Sequence, residues 1–231
     1  MTGGRLFSIA IDGPAGAGKS TIAMLLARRF GLSYVDTGAM YRGVALLCRR
    51  NSIDPANEEA LASIAERAGF HFEMDPSPDK LLNRVSLNGE DVTDAVREPE
   101  ISSLASSVSA LSGVRRALVA KQKLMGAQGG VVMEGRDICN VVLPLAEVKI
   151  FLTASAEVRA GRRHLEFTEK GKSSDYERTL AEIRERDHRD STRADSPLHP
   201  AADAVIVDTD PLSIEQVVDS IAEIAREKTG A

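Results

Sequence analysis

Residues 13–20, with the sequence GPAGAGKS, carry the strongest chemical signal in the chain, because they match the pattern G-x-x-x-x-G-K-[ST] in full. The glycines let backbone N–H groups converge on an anion, and the start of the following helix adds partial positive charge. Lys19 can reach the outer phosphates of a nucleotide, and the Ser20 hydroxyl is placed to bind Mg²⁺. This phosphate loop therefore predicts binding of a nucleoside triphosphate with Mg²⁺. The predicted nucleotide-binding residues are Gly13, Pro14, Ala15, Gly16, Ala17, Gly18, Lys19, Ser20 and Thr21.

Arginines beside carboxylates follow two other predicted strands. Residues 36–42 read DTGAMYR, and residues 134–137 read EGRD. The carboxyl ends of parallel strands are where ligands bind, and Arg42 and Arg136 can hold a phosphate by two parallel hydrogen bonds. Asp137 can contact a base or position a water on the metal. These segments favour an anionic second substrate, with an exposed turn arginine and a structural Arg–Asp pair as the alternatives.

Two later segments add positive charge. Arg159, Arg162 and Arg163 stand at i, i+3 and i+4, hence on one helical face, and Lys170 and Lys172 follow. This pattern predicts a lid that brings positive charge over the transferring phosphoryl group, or else a solvated basic face.

Residues 182–193 (EIRERDHRDSTR) are densely charged with mixed sign. Arg186, Asp190 and Arg193 fall within an arc of about 60° on a helix of 3.6 residues per turn. That face can present two guanidinium groups and one carboxylate to a sugar phosphate, although a solvated helix with i,i+4 ion pairs is the alternative.

Alternating strands and helices must position these residues. Five apolar runs are interpreted as strands: Leu6–Asp12, Tyr34–Val35, Val131–Glu134, Val148–Leu152 and Ala204–Asp208. Helical patterns separate them, as over Lys19–Phe30, so the sequence predicts an α/β fold with a parallel sheet covered on both faces. Ser213 and Gln216 predict a capping box at the start of the last helix.

Residues 69–94 break this alternation. Short strands are predicted at Phe70–Met74 and Arg84–Leu87, and Asn88-Gly89 is a strong signal for a hairpin turn. Pro76 and Pro78 indicate a loop. We expect a small antiparallel lobe inserted into the α/β domain.

Composition narrows the class of protein further. The chain has 231 residues, 43% of them hydrophobic, and a net charge of -5, which favours one substantial core and argues against a nucleic-acid or membrane-surface binder. It shows no membrane-span-length apolar run and no secretory signal. Cys48 and Cys139 form no C-x-x-C motif, and the four histidines, His71, His164, His188 and His199, lack metal-ligand spacing. A reduced, cytoplasmic protein with no nucleic-acid or membrane partner is expected.

Other phosphate-loop classes fit the sequence less well. We find no N-K-x-D element of a GTPase, motor and AAA-type ATPases are usually larger, and a small kinase fits the length. Two alternative functions remain open. One is a kinase for UMP, AMP or shikimate, and the other is a binding protein that uses ATP as a regulatory switch.

In combination these segments resemble the bacterial cytidylate kinases (CMP/dCMP kinases) over nearly the whole chain. The resemblance is carried by IDGPAGAGKST, VDTGAMYR, EGRDICNVVLP, VKIFLTAS, ERDHRDSTR and PAADAVIVDT. It implies a P-loop NTPase three-layer fold with a five-stranded parallel sheet, in which residues 1–231 form a single kinase domain. An inserted lobe that binds the nucleoside monophosphate would span about 69–97, and a helical lid about 155–173. It also implies transfer of the γ-phosphoryl of ATP to CMP or dCMP, with Mg²⁺, in a monomer.

The resemblance further implies roles for individual residues. Arg42, Arg136 and Arg193 would bind the acceptor phosphate, Ser106, Arg115 and Asp137 would read the cytosine edge, and Arg186 and Asp190 would hold the sugar. Asp36 and Thr37 would lie beside the acceptor. Lys19, Arg136, Arg162 and Arg193 are the catalytic cations it predicts, with Ser20 as the Mg²⁺ ligand. Without the resemblance, Ser106 and Arg115 are interpreted as surface residues of a polar helical region.

The chain departs from the family's usual pattern at two of these positions. The family often has Gly after the phosphate-loop lysine, where this chain has Ser20, which preserves or improves direct ligation of Mg²⁺. It often has Ser where Thr37 stands, so the hydroxyl is kept and a methyl group is added.

Overall fold

The structure, a computed structural model, describes residues 7–77, 80–169, 171 and 173–231. Four residues for which a strand, a loop or the lid is predicted lie outside this range: Leu6, Pro78, Lys170 and Lys172. In chain order the elements are β1 (Ser8–Asp12), α1 (Lys19–Phe30), β2 (Ser33–Asp36), α2 (Thr37–Arg50), α3 (Glu58–Arg67), β3 (Phe70–Met74), β4 (Asn83–Leu87), β5 (Glu90–Asp91), α4 (Pro99–Val108), α5 (Ser112–Gly126), β6 (Val131–Gly135), β7 (Val148–Thr153), α6 (Ala156–Glu169), α7 (Tyr176–Thr192), β8 (Val205–Asp208) and α8 (Ile214–Thr229). A 3₁₀ turn covers Ala95–Arg97, and a π-helical turn covers Ile138–Val142.

The predicted five-stranded parallel sheet is confirmed. Its strand order is β2-β6-β1-β7-β8, and each neighbouring pair is parallel. In register, Asp12 pairs with Gly135, and Asp36 pairs with Glu134. The carboxyl ends of the three strands β2, β6 and β1 therefore meet at one edge of the sheet, directly before the phosphate loop and the EGRD segment.

Helices cover both faces of the sheet, which explains why its central strands are continuous apolar runs. All five residues of β1 are buried. One face packs against α1 and α8, with Leu26 and Ile221 fully buried, and the other packs against the π-helical turn through Ile138. The predicted capping box at Ser213 and Gln216 is present at the start of α8.

The antiparallel strands β3, β4 and β5 form a second, three-stranded sheet. Asn88 and Gly89 turn the β4–β5 hairpin with positive φ angles of 53° and 86°, which these two residue types tolerate. The sheet packs on α2, where a Cβ at Gly43 would lie 2.5 Å from the Phe70 ring. Arg28 of α1 holds the β3–β4 connection by donating to the carbonyl oxygens of Asp75 and Ser77, each at 3.0 Å.

Within the described residues, no helix combines the length and the apolar character that a membrane span requires.

Candidate active site

The phosphate loop joins β1 to α1 in a conformation that only its glycines permit. Gly13 has a φ of 149°, and a Cβ there would collide with the carbonyl oxygen of Leu152. Gly18 has a φ of 86° and is the N-terminal cap of α1. Lys19 is buried, and its Nζ donates to the carbonyl of Pro14 at 2.7 Å. The loop therefore presents the start of α1 and one lysine to the space above it.

The pKa of Lys19 is lowered to about 7, chiefly by burial and next by the nearby charge of Arg136. The negative charges of Glu134 and Asp12 raise this pKa, whereas the positive charge of Arg186 lowers it, as that of Arg136 does. A buried lysine among guanidinium groups is an electrostatic arrangement that an anion would relieve.

Glu134, near the end of β6, contacts Ser20 at the start of α1. Its Oε1 accepts from the Ser20 hydroxyl at 2.6 Å and from the Tyr34 hydroxyl at 3.2 Å. A hydroxyl and a carboxylate are hard oxygen donors of the type that Mg²⁺ prefers, and Mg²⁺ on a nucleotide usually needs only one or two protein ligands. The described residues contain no cluster of three or more His, Cys, Asp or Glu side chains that could hold a metal alone. The donor set thus fits a metal shared with bound phosphates.

Asp12 fixes the segment that follows β6. Its two carboxylate oxygens accept the backbone N–H groups of Ile138 and Cys139, both at 2.8 Å. The side chain is 1% exposed, and burial raises its pKa. Since these bonds hold the first residues of the π-helical turn, they also set the position of Arg136 and Asp137 just before it.

A buried ion pair joins α5 to the segment after β6. Arg115 of α5 donates through Nη2 to Oδ2 of Asp137 at 2.5 Å, and both side chains are less than 10% exposed. The Arg115 guanidinium lies 6.0 Å from the centre of the Tyr41 ring, and burial raises the pKa of Tyr41 to about 12. From the residues alone, Arg115 was predicted to lie on the surface, and that prediction is wrong because the side chain is buried.

Asp36 and Thr37 begin α2 beside this pair. Asp36 caps the helix by accepting from the N–H of Ala39 at 2.9 Å, and it forms an ion pair with Arg42 at 2.8 Å. The Thr37 hydroxyl donates to the carbonyl of Glu134 at 2.7 Å. The Nε of Arg42 is buried and has no partner among the described residues.

Helix α7 contributes the opposite wall. Asp190 accepts from Nε of Arg136 at 2.9 Å. Burial raises the pKa of Asp190, but the charges of Arg136 and Arg186 outweigh it and hold the pKa below its usual value. Burial, followed by the charge of Arg136, lowers the pKa of Arg186 to about 10. Within the described part of the chain, Nε of Arg186 has no hydrogen-bond partner.

Helix α7 ends at Thr192, so Arg193 lies one residue beyond the helix on which it was predicted. It is the C-terminal cap, with extended backbone angles of -60° and 147°, and its Nε donates to the carbonyl of Ser196 at 2.8 Å. Its Nη2 is buried and unpartnered within the described residues. Arg193 nevertheless lines the same cavity as Arg186 and Asp190.

The arginines of α6 have separate partners. Arg162 donates to the hydroxyl and the carbonyl of Thr209, at 3.0 and 2.7 Å. Arg163 lies over the Phe167 ring at 5.5 Å. Arg159 is buried and bound to protein oxygens.

A single cavity of about 850 Å³ connects these groups. It brings together most of the predicted site residues: Ala15, Gly16, Ala17, Gly18, Lys19, Ser20, Thr21, Asp36, Thr37, Arg42, Arg115, Arg136, Asp137, Arg162, Arg186, Asp190 and Arg193. Three predicted residues do not line it. Gly13 and Pro14, the first two residues of the loop, are buried, and Ser106 accepts a hydrogen bond from Nη1 of Arg189 at 2.7 Å.

The cavity is also lined by residues that were not predicted from the sequence. Among the residues that line it are Tyr41, Arg97, Ser102, Ser109 and Glu134. Position at the carboxyl end of a strand was a usable signal for Glu134, and proximity in sequence to Arg42 was one for Tyr41. Ser102 and Ser109 carried no distinguishing signal, because the segment 102–112 is rich in serine.

A phosphate loop after the central strand of a parallel sheet, facing a second arginine-lined compartment, is the arrangement of the P-loop kinases, and the protein is of this class. The family model described as cytidylate kinase matches residues 9–227. The cytidylate kinase of Lactiplantibacillus plantarum is 49% identical over 224 residues, covering 97% of this chain and 96% of the relative. That of Geobacter sulfurreducens is 47% identical over 229 residues, covering 99% and 97%. The chain therefore belongs to the cytidylate kinase family.

A solved structure shares the fold alone. An uncharacterized protein from Eubacterium ventriosum superposes with a TM-score of 0.52 at 10% identity, covering 96% of this chain and 99% of that one.

Proposed function

We propose that the protein transfers the γ-phosphoryl group of ATP to CMP or dCMP, giving ADP and CDP or dCDP. The observation that carries this proposal is the single cavity, in which the phosphate loop faces the buried Arg115–Asp137 pair across a ring of arginines. The family supports the same activity.

The acceptor base is read at the Arg115–Asp137 pair. A carboxylate accepts well from the exocyclic amino group of cytosine, whereas uracil presents a carbonyl oxygen at the same position. A guanidinium donates to the ring nitrogen and carbonyl acceptors that cytosine also carries. The pair thus has the donor and acceptor pattern that favours cytosine over uracil.

The donor base lies at the other end of the cavity. Beyond the phosphate loop the walls include apolar side chains, with Leu212, Ile214 and Val217 at and before α8 and Phe167 on α6. Such walls fit the faces of a purine ring.

Catalysis needs no covalent intermediate, because the acceptor phosphate is itself a nucleophile at neutral pH. The obstacle is bringing two polyanions together, and Lys19, Arg42, Arg136 and Arg193 neutralise them. Ser20 and Glu134 would hold Mg²⁺, which would supply further positive charge. Asp190 keeps Arg136 oriented toward the acceptor.

The proposal extends to a lid, to the inserted lobe and to the oligomeric state. Residues 155–173 act as a lid, supported by Arg162, Arg163 and Phe167 of α6, which line the cavity. In the lobe at 69–97, Arg97 is the lining residue among those described, so the lobe contributes through this one side chain. The proposal also includes a monomer in the cytoplasm, and two free, buried cysteines are typical of a reducing compartment.

A coupled assay of ADP release tests the proposal. The purified protein is given Mg·ATP with CMP, dCMP, UMP, AMP, GMP or shikimate as single acceptors. We expect fast turnover with CMP and dCMP and slow turnover with the others. Fast turnover with UMP, AMP or shikimate alone would assign a different small-molecule kinase.

The regulatory-switch hypothesis predicts another outcome in the same assay. Rates at the level of ATP hydrolysis across the whole panel, with tight ATP binding, would contradict the proposed transfer and leave a nucleotide-binding protein. Light scattering on the eluting protein checks the monomer.

A further inference from the structure

Arg159, near the start of α6, contacts three separate parts of the molecule although only 4% of it is exposed. Its Nη1 donates to the carbonyl of Ala15 in the phosphate loop at 3.1 Å, and its Nε donates to the carbonyl of Ala154, after β7, at 2.9 Å. It also forms a two-point ion pair with Asp187 of α7, at 3.0 Å from Nη1 and 2.6 Å from Nη2. One side chain thus joins the loop, the end of β7 and α7.

The stem of Arg159 supports the loop as well. A Cβ built at Gly16 would lie 3.2 Å from the Cβ of Arg159, so the loop rests directly on this side chain. Four of the five guanidinium N–H groups are directed at Ala15, Ala154 and the two Asp187 oxygens. This leaves little capacity to bind a phosphate, in contrast to a mobile lid arginine.

We propose that the Arg159–Asp187 pair is a positioning element that sets the placement of α7 relative to the phosphate loop. Asp187 directly follows Arg186 and precedes Asp190 by three residues, and both of these line the acceptor side of the cavity. A rotation of α7 about its axis would move both groups away from the acceptor while the donor stayed on the loop.

Geometry of this kind has a large effect on rate, since a misplacement of about 1 Å can cost about 10²-fold. The inference rests on the proposed function in one respect, namely that the acceptor whose sugar and phosphate face α7 is CMP or dCMP.

The chain provides a matched control pair. Glu157 and Arg184 join the same two helices at 2.6 Å, but their side chains are 54% and 61% exposed. Among the described contacts this exposed pair makes none with the phosphate loop, so Glu157→Gln removes an α6–α7 ion pair without touching the site. Exposed pairs contribute little to stability, and the control should keep wild-type kinetics.

The first test compares Arg159→Met, Arg159→Lys and Glu157→Gln. Steady-state kinetics give kcat and both KM values, and calorimetry gives the affinity for an ATP analogue alone, for CMP alone, and for a bisubstrate compound in which five phosphates link adenosine to cytidine. In Arg159→Met we expect kcat to fall about 10- to 100-fold. The affinity for the bisubstrate compound should fall by a larger factor than the single-ligand affinities combined. Arg159→Lys, which keeps the charge but not the two-point geometry, should be intermediate.

Two outcomes would overturn the proposal. One is a kcat equal to wild type, measured well below the melting temperature of the variant. The other is a loss that appears equally in binding of the ATP analogue alone, because that would make Arg159 a support of the loop and nothing more. If Arg159→Met does not fold, Asp187→Asn takes its place, since it removes the charge but keeps one acceptor oxygen.

A second measurement separates this inference from the proposed function. Hydrogen exchange of residues 176–192 is followed with and without the Mg²⁺-bound ATP analogue, which requires no acceptor. The analogue should slow exchange in α7 of the wild type and of Glu157→Gln but not of Arg159→Met. Equal protection in all three would refute the coupling even if CMP is phosphorylated, whereas a wild type inactive on CMP would refute only the proposed function.

Discussion

Lys19 lies among guanidinium groups when no anion is bound, so its proton should respond to nucleotide. Burial lowers its pKa to about 7 in the free protein, with Arg136 acting in the same direction. Phosphates near Nζ will raise that pKa again. Between about pH 7 and the higher pKa of the complex, the bound state holds more protons than the free state. Binding is then accompanied by proton uptake, and affinity falls as the pH rises above 7.

Calorimetry at pH 8 checks this prediction for Lys19. Titrations of an ATP analogue are run in two buffers of different ionisation enthalpy, and the difference gives the number of protons taken up. Lys19→Met is the control and should lose most of the uptake. Identical uptake in the wild type and in Lys19→Met would show that the proton goes elsewhere.

Asp137 should decide between cytosine and uracil. In Asp137→Asn the amide can donate to the uracil O4, and the carboxylate that accepted from the cytosine amino group is gone. We expect kcat/KM for CMP to fall about 10- to 100-fold, corresponding to about 1–3 kcal/mol, while UMP changes little or improves. The ratio of CMP to UMP turnover is measured in one assay. An unchanged ratio would contradict the base-reading role, and Asp94→Asn, on the exposed surface, is the control.

At the scale of single elements, two glycines have opposite predicted responses to alanine. Gly13 has a φ of 149°, and its Cβ would collide with the Leu152 carbonyl, so Gly13→Ala must displace the loop from β7. Gly161 lies inside α6, where a Cβ meets nothing within 4 Å. Gly161→Ala should therefore stabilise the fold by about 0.5–1 kcal/mol, because alanine favours the helix.

Thermal and denaturant unfolding of the two variants provide the measurement. Gly13→Ala should lower the free energy of unfolding and abolish nucleotide binding. A Gly13→Ala variant as stable as the wild type would mean that the loop accommodates a side chain after all.

The elements themselves were largely predictable, for reasons visible in particular residues. Strands buried on both faces, such as β1, leave an uninterrupted apolar run, and the glycine pattern after it has a fixed chemical meaning. The hairpin at Asn88-Gly89 was predictable because few residue pairs tolerate that turn. Arg159 was not, because its partner Asp187 is 28 positions away and two helices share the contact. Ser106 was predicted to belong to the site but does not line the cavity. Its hydrogen bond to Arg189 depends on the contact between α4 and α7, which the local sequence does not reveal.

At the scale of the whole molecule, the charge of the cavity opposes that of the chain. The net charge is -5, yet the described residues that line the cavity include Lys19 and nine arginines against five carboxylates: Arg42, Arg97, Arg115, Arg136, Arg159, Arg162, Arg163, Arg186 and Arg193, with Asp36, Glu134, Asp137, Glu166 and Asp190. A concave site of one sign focuses its field and draws in a ligand of the other sign.

Salt should therefore slow capture of the acceptor. As KCl rises, the screening length shortens, to about 8 Å at physiological ionic strength, and kcat/KM for CMP should fall several-fold while kcat changes less. Arg97 stands exposed at the rim, and Arg97→Ala should give a shallower dependence on salt. A kcat/KM independent of salt would contradict electrostatic capture.

Both cysteines of the chain, Cys48 and Cys139, are free and buried. Burial raises the pKa of each thiol, so neither is a ready target for alkylation in the native protein. The two native thiols should therefore react little with a thiol-directed dye, so a cysteine introduced elsewhere can be labelled selectively. A single cysteine placed at an exposed position of α6, such as Glu169→Cys, would be the preferred site for a maleimide dye. Its fluorescence would report the approach of this helix to the nucleotide in real time, without prior removal of the native thiols.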